Sequence, residues 1–433
     1  LTCGPSTRSI SDRCTAHRQR RRDFLAPVAS TALLWSLAAA WPRAAAQTAA
    51  TPAFSDEARR RLTPGSDSER VRFESDRQDL LDEAQRQLDR GEADAALQTL
   101  ERAALMRHAA DTELAYVRAL MAAGKYQRAL VAGAHTAGAH REQVAGTALY
   151  GWLLHVGGQE LAARRYLDEA LNRSPEEALL LHTREQLTAD WPRAGDLLRQ
   201  GPWHAAPQPH GSSPLDIPPD GVRAIGTALL LSGGDEALVA RAAAPAGAVL
   251  WLRNGLGRTM AVAERRATSD ADLDLLTLRD ALPPPTWQAA PREPFAGSPG
   301  FMVEYAPDTR GLAAWPLLRQ GFFAGIPGTL PSRPLGLAAP AGPRGGPVLD
   351  ATGQLVGLAL EGVAVGTASP LAGRAVDRLL PLARLRAARG AGVPEPAVRP
   401  IGPPAPRVGP EVAYEHALRG ALQVLALNKA GHA

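Results

Sequence analysis

Gly91, Gly124 and Gly158 recur at spacings of 33 and 34 residues, and each is followed five residues later by an alanine: Ala96, Ala129 and Ala163. Glycine supplies a tight turn and alanine lets two helices approach closely. A fixed period of this length therefore predicts stacked helical pairs, each burying its apolar face on the next. The small and apolar positions repeat with it. The first unit carries Leu80, Ala84, Gly91, Ala96, Leu100 and Ala103, and the second Leu120, Gly124, Tyr126 and Ala129. The third carries Gly151, Leu154, Gly158, Ala163, Leu167, Ala170 and a closing Pro175. Residues 176–187 read as one more amphipathic helix, capping the open apolar end.

This pattern resembles tetratricopeptide repeats, which implies an all-α solenoid with a concave surface for a peptide or partner protein. His135, His140 and His155 within it are not at metal-ligand spacing and read as solvated or locally hydrogen-bonded. No metal site and no cofactor is expected.

From Gly221 the pattern changes to short apolar runs separated by glycine turns, as β-strands require. Three segments there stand in order. Residues 226–232 read Gly-Thr-Ala-Leu-Leu-Leu-Ser, residues 270–278 read Asp-Ala-Asp-Leu-Asp-Leu-Leu-Thr-Leu, and residues 342–350 read Gly-Pro-Arg-Gly-Gly-Pro-Val-Leu-Asp, leading to a hairpin. Together they resemble the HtrA-like branch of the trypsin-like serine proteases. The resemblance implies an all-β double barrel and a cleft for an extended chain. It also implies that the catalytic residues are gone: Ala242, within a residue, stands where the histidine belongs and Arg344 where the serine belongs. Asp274 remains as the orienting aspartate. Gly342 and Arg344 occupy the positions whose amides form the oxyanion hole.

One observation independent of resemblance points the same way. Of ten histidines, none lies between His210 and His416, so the domain has no imidazole to act as general base. The alternative is an active serine endopeptidase with a non-standard site at Ser232, Ser298, Ser332 or Ser369; none of these has an evident base.

Composition decides partners and compartment. The chain is 45% hydrophobic and 21% charged, a globular balance. Its net charge of +4 resides in residues 1–46, which hold seven arginines against Asp12 and Asp23. No basic field remains to attract nucleic acid. Arg21-Arg22-x-Phe24-Leu25, an apolar run over residues 26–40 and Ala44-Ala45-Ala46 have the order of a secretory signal of twin-arginine type. Signal removal would leave a periplasmic or secreted protein with no membrane span. It would also leave no cysteine, since Cys3 and Cys14 both precede the apolar run.

The expected order is therefore a signal (1–46), a linker (47–69), a tetratricopeptide solenoid (70–190), a linker (191–219) in which His204 and His210 are loop residues, a trypsin-like domain (220–388) ending in a helix over residues 369–387, a proline-rich linker (389–410) and a C-terminal helix (411–433). The function expected is a multidomain α + β, exported, non-catalytic binding or scaffold protein.

Overall fold

A computed structural model describes residues 66–325, 333–342, 344–364, 375–389, 391–396 and 405–427. The signal, and with it Ser332 and Ser369, lies outside them.

The helical part starts at α1 (Asp67–Asp89), slightly before the expected boundary. Ser66 caps it: its hydroxyl accepts from the Glu69 amide, and the Glu69 carboxylate accepts in return from the Ser66 amide. Then come α2 (Ala93–Met106), α3 (Ala110–Ala122), α4 (Tyr126–Ala139), α5 (Val144–Val156), α6 (Glu160–Arg173) and α7 (Ala178–Thr188). Consecutive helices pack as antiparallel pairs. Ala84, Ala96, Leu120, Ala129, Ala163 and Ala170 are buried at the contacts. Gly151 faces Leu167, with room for nothing larger than hydrogen.

The three turn glycines are all at positive φ, and they face the rest of the protein. A Cβ on Gly158 (φ +80) would stand 2.6 Å from Leu318 Cδ2 and 2.9 Å from the Leu318 carbonyl oxygen. Gly91 meets the His210 ring and Gly124 meets Leu256 in the same way. The period thus serves two ends: a left-handed turn, and a close seat for the β-domain.

Residues 191–219, expected as a linker, are a wedge. Short 3-10 turns at Asp196–Arg199 and Gly201–Trp203 pack on α7 and on α3 and α5 respectively. Leu198 and Ala205 are buried. On its other side the segment binds the β-domain, with Arg193 donating to the Pro307 carbonyl at 2.6 Å and Arg199 to that of Ala313 at 2.7 Å. Residues 196–203 thus lie against part of α3, α5 and α7, helices of the array expected to be open to a partner.

The β-domain opens with β1 (Arg223–Leu230), β2 (Glu236–Ala240), β3 (Val249–Asn254), β4 (Thr259–Ala267) and β5 (Leu273–Leu278). These five do not close. The sixth strand comes from the chain's last described residues and corrects the expected C-terminal helix. After Pro410 starts α9 (Pro410–Gly420), the backbone extends at Ala421 and becomes a strand (Ala421–Leu427). It inserts between β1 and β3, pairing Leu422 with Ala228 and with Asn254. The strand order closes as a barrel. Leu422, Val424 and Ala426 alternate into the interior with Leu230, Val239, Leu252 and Leu276, while Leu425 packs outside with Trp251.

Between β5 and α9 lies the second sheet: β6 (Pro299–Glu304), β7 (Leu317–Phe322), β8 (Pro347–Asp350), β9 (Leu355–Ala364) and β10 (Ala375–Pro381), in the order β10-β9-β8-β6-β7. The C-terminal strand above is β11. Residues 333–335 pair with the outer edge of β10, through Leu335 N–H to the Asp377 carbonyl and Leu379 N–H to that of Arg333. Met302, Phe323, Val348, Val356 and Leu379 fill the interior. The helix expected over residues 369–387 is strand β10 followed by α8 (Leu382–Ala388). A helical region followed by an all-β domain with a closed six-stranded barrel is the expected fold class, and it fits a trypsin-like double barrel.

One apolar cluster runs unbroken from Leu100 and Leu149 in the helices to Val303, Leu318 and Leu358 in the second sheet. At its centre Tyr126 and Tyr414 meet edge to face at 4.4 Å. Their hydroxyls donate to the Leu153 and Pro316 carbonyls.

Two outcomes follow from this packing. Val424→Asp would bury a lone carboxylate inside the barrel and is expected to lower unfolding free energy by more than about 4 kcal/mol. Leu427→Asp at the strand's half-exposed end is expected to cost far less in the same urea titration. The second outcome is acid sensitivity. Burial lowers the His155 imidazole from 6.5 to about 4, with Arg319 and Arg164 adding to the effect, and burial likewise depresses His204 and His210. A group that binds its proton more weakly when folded contributes stability above its unfolded value and loses it as pH falls through the folded one. For His155 the contribution is about 3 kcal/mol, lost between pH 6.5 and about 4. Melting temperature is expected to fall across that window, and less steeply in His155→Leu.

Candidate functional site

The loop ahead of β8 begins at Pro340 and turns through Gly345 (φ +131), where a Cβ would stand 2.1 Å from the Thr227 carbonyl oxygen of β1. Gly346 is pressed as closely against the Val303 carbonyl of β6. The two glycines let this loop lie flat between the two sheets.

Between them and Pro340 stands Arg344, and its side chain points inward. It is 1% exposed. Its Nη1 donates to Glu304 Oε2 at 3.2 Å, its Nε to Asp377 Oδ2 at 2.9 Å, and its Nη2 to the Pro340 carbonyl of its own loop. Glu304, at the end of β6, is equally buried, and its other oxygen accepts from Arg319 Nε of β7 at 2.6 Å. Burial pushes the Glu304 carboxyl up, against the opposing pull of the Arg344 and Arg319 guanidiniums. Trp191 closes the cluster from the wedge segment. Its indole N–H donates to the Ala341 carbonyl at 3.1 Å, and its ring lies 5.2 Å from the Arg319 guanidinium and 5.7 Å from that of Arg344. A Cβ on Gly342 would meet that ring at 3.1 Å.

Asp274, on β5, is buried and paired with two arginines, Arg241 Nε at 2.8 Å and Arg265 Nε at 2.8 Å. The other aspartates of its segment are also engaged across the gap between the sheets. Arg384 of α8 grips Asp270 through both carboxylate oxygens at 2.7 Å, and Arg378 of β10 reaches Asp272 at 3.4 Å. Burial raises the Asp272 carboxyl, but Arg378 and Arg384 together hold it below its ordinary value. Ala242 is exposed in a single 3-10 turn, Arg241–Ala243.

Ala242 and Arg344 do meet one recess of about 390 Å³ between the two sheets, with Arg241, Asp272, Glu361 and Arg378 around it. Among the described residues, no histidine, serine or cysteine lines it. A guanidinium holds its proton at any working pH and offers no lone pair for attack. Arg344 therefore supplies charge at this position and neither a nucleophile nor a general base.

The partners of Arg344 were not visible in the sequence, because Glu304 and Asp377 lie 40 and 33 residues away in strands of ordinary pattern. The one signal was charge at strand positions that the apolar alternation assigns to the interior. Arg344 is satisfied by two carboxylates, Glu304 and Asp377. Of the histidines read as solvated or locally hydrogen-bonded, His135 is exposed and lies 3.1 Å from the His108 ring nitrogen, and His155 is buried. His108, Glu113 and His140 form the one grouping of possible metal ligands among the described residues.

No protein-family model matches this chain, and no curated protein does. Among solved structures it is similar to the MamO protease domain from Magnetospirillum magneticum in its apo form, at 18% identity. The match covers 39% of this chain and 95% of that one, with a TM-score of 0.27. The fold assignment rests on the strand order and barrel closure described above.

Arg344→Ser would return a hydroxyl to the loop and leave Glu304 buried with Arg319 alone. A loss of roughly 3–5 kcal/mol in unfolding free energy is expected, read by urea denaturation, with no gain of peptidase activity.

Proposed function

We propose that this is a non-catalytic, exported binding or scaffold protein, in which a tetratricopeptide-type helical array is fused to a trypsin-type double barrel that has lost its peptidase chemistry. The observation that carries the reading is Arg344. The position that would hold a nucleophile holds instead a buried guanidinium shared between Glu304 and Asp377.

What remains of the site is a recess with a charged rim, suited to receiving part of an extended polypeptide without cutting it. Residues 196–203 already occupy part of α3, α5 and α7, which favours the β-domain cleft and the uncovered helix surfaces for a partner. The basic, apolar and small-residue order of the first 46 residues supports export by the twin-arginine route.

Two measurements test this. Incubation with a fluorophosphonate probe and with unfolded protein substrates is expected to give neither labelling nor cleavage. A labelled serine would establish the alternative, a serine endopeptidase with a non-standard site. Fractionation of cells is expected to find the protein in the envelope, and Arg21→Lys with Arg22→Lys to leave it in the cytoplasm; equal export of both forms would remove the twin-arginine assignment.

A further inference from the structure

The loop after α2, the first turn of α3 and the C-terminal end of α4 place four side chains around one point. They are His108, Glu113, His135 and His140. His108 Nε2 stands 2.7 Å from Glu113 Oε1 and 3.1 Å from His135 Nε2. His135 Nε2 is 3.5 Å from Glu113 Oε1, and His140 Nε2 is 3.6 Å from Glu113 Oε2. The ligand atoms of His108, Glu113 and His140 all lie within 4.8 Å of one another.

Hydrogen bonding leaves this cluster half explained. Glu113 Oε2 and His140 Nε2 are both shielded from solvent without a hydrogen-bond partner, and at 3.6 Å they are too far apart to satisfy each other. Two imidazole Nε2 atoms 3.1 Å apart can share only one proton between them. The distances do suit a common cation. Nitrogen and oxygen ligands about 2.0–2.2 Å from one tetrahedral zinc stand roughly 3.3 Å from each other, within the spread found here.

We propose that His108, His140 and Glu113 form a site for a first-row divalent ion of the zinc class. Imidazole nitrogen with one carboxylate suits such an ion, whereas calcium and magnesium take oxygen ligands. The three ligands come from the α2–α3 loop, α3 and the end of α4, so the ion ties these elements together. The His108 and His135 side chains are 60% and 59% exposed, which gives the ion a path from solvent. Nothing in this assignment depends on the function proposed above.

The test uses untagged full-length protein with Cys3→Ser and Cys14→Ser, so that thiols do not compete. Zinc is titrated against a chromophoric chelator, and cobalt is followed by the visible bands of a tetrahedral complex. The expected result is one equivalent of zinc, a tetrahedral cobalt spectrum and a zinc-dependent rise in melting temperature. His108→Ala, whose exposed side chain makes it safe for folding, and Glu113→Gln are each expected to weaken binding by at least the roughly 100-fold that losing an outer-shell partner costs. Both are expected to abolish the rise in melting temperature. His416→Ala, an exposed histidine elsewhere, is expected to change nothing. Absence of stoichiometric binding by the parent protein, or binding undiminished in a folded His108→Ala/His140→Ala variant, would overturn the assignment.

Discussion

A six-stranded barrel needs every edge paired, and here the strand that completes it is the last one described. Without β11, β1 and β3 would each present a row of unpaired amides and carbonyls. The chain must therefore carry its C-terminal segment back across the whole molecule. The lead-in helix α9 settles against α4, with Glu415 accepting from the Gln127 amide and Tyr414 lying against Tyr126. The helical region and the β-domain are thus joined at the point where the barrel is closed. Two of the turn glycines, Gly124 against Leu256 and Gly158 against Leu318, and the wedge of residues 191–219, whose His210 meets Gly91, extend the same contact. Such non-local pairing makes folding slow, since many loops must close before β11 finds its place.

Within that frame the space between the two sheets is filled with ion pairs. Arg344, Glu304, Asp377 and Arg319 form a neutral set of two guanidiniums and two carboxylates, and Asp270, Asp272 and Asp274 are each held by arginine. Buried pairs of this kind add little over an apolar core, but each partner becomes indispensable to the other. Their geometric effect is to fix β10 and α8 of the second sheet against the aspartate segment of the barrel. That role is positional.

The local features were legible in the sequence and the non-local ones were not. Turn glycines and packing alanines are written at fixed intervals, so the helical pairs could be read directly from Gly91, Gly124 and Gly158. The strand at residues 421–427 was read as helix because it is buried on both sides. Its apolar residues are nearly continuous, and such a run fits either period. The wedge at 191–219 looked like a linker because proline and glycine mark irregular backbone, and they do not reveal what that backbone packs on. His108, Glu113 and His140 belong to three different elements, so no linear spacing announces them. Ala242 and Arg344 could be located by motif, whereas the direction of the Arg344 side chain depends on Glu304 and Asp377, which only the folded sheet brings near.

The central claim is that Arg344 is a structural ion of the interior and not a ligand-facing group. It is tested most directly by a double-mutant cycle on unfolding free energy with Arg344→Met, Glu304→Gln and the pair. The account expects the double variant to recover much of what each single change loses, a coupling of about 2 kcal/mol or more. Additive effects within about 0.5 kcal/mol would contradict it, and would mean that the guanidinium is free to serve the cleft.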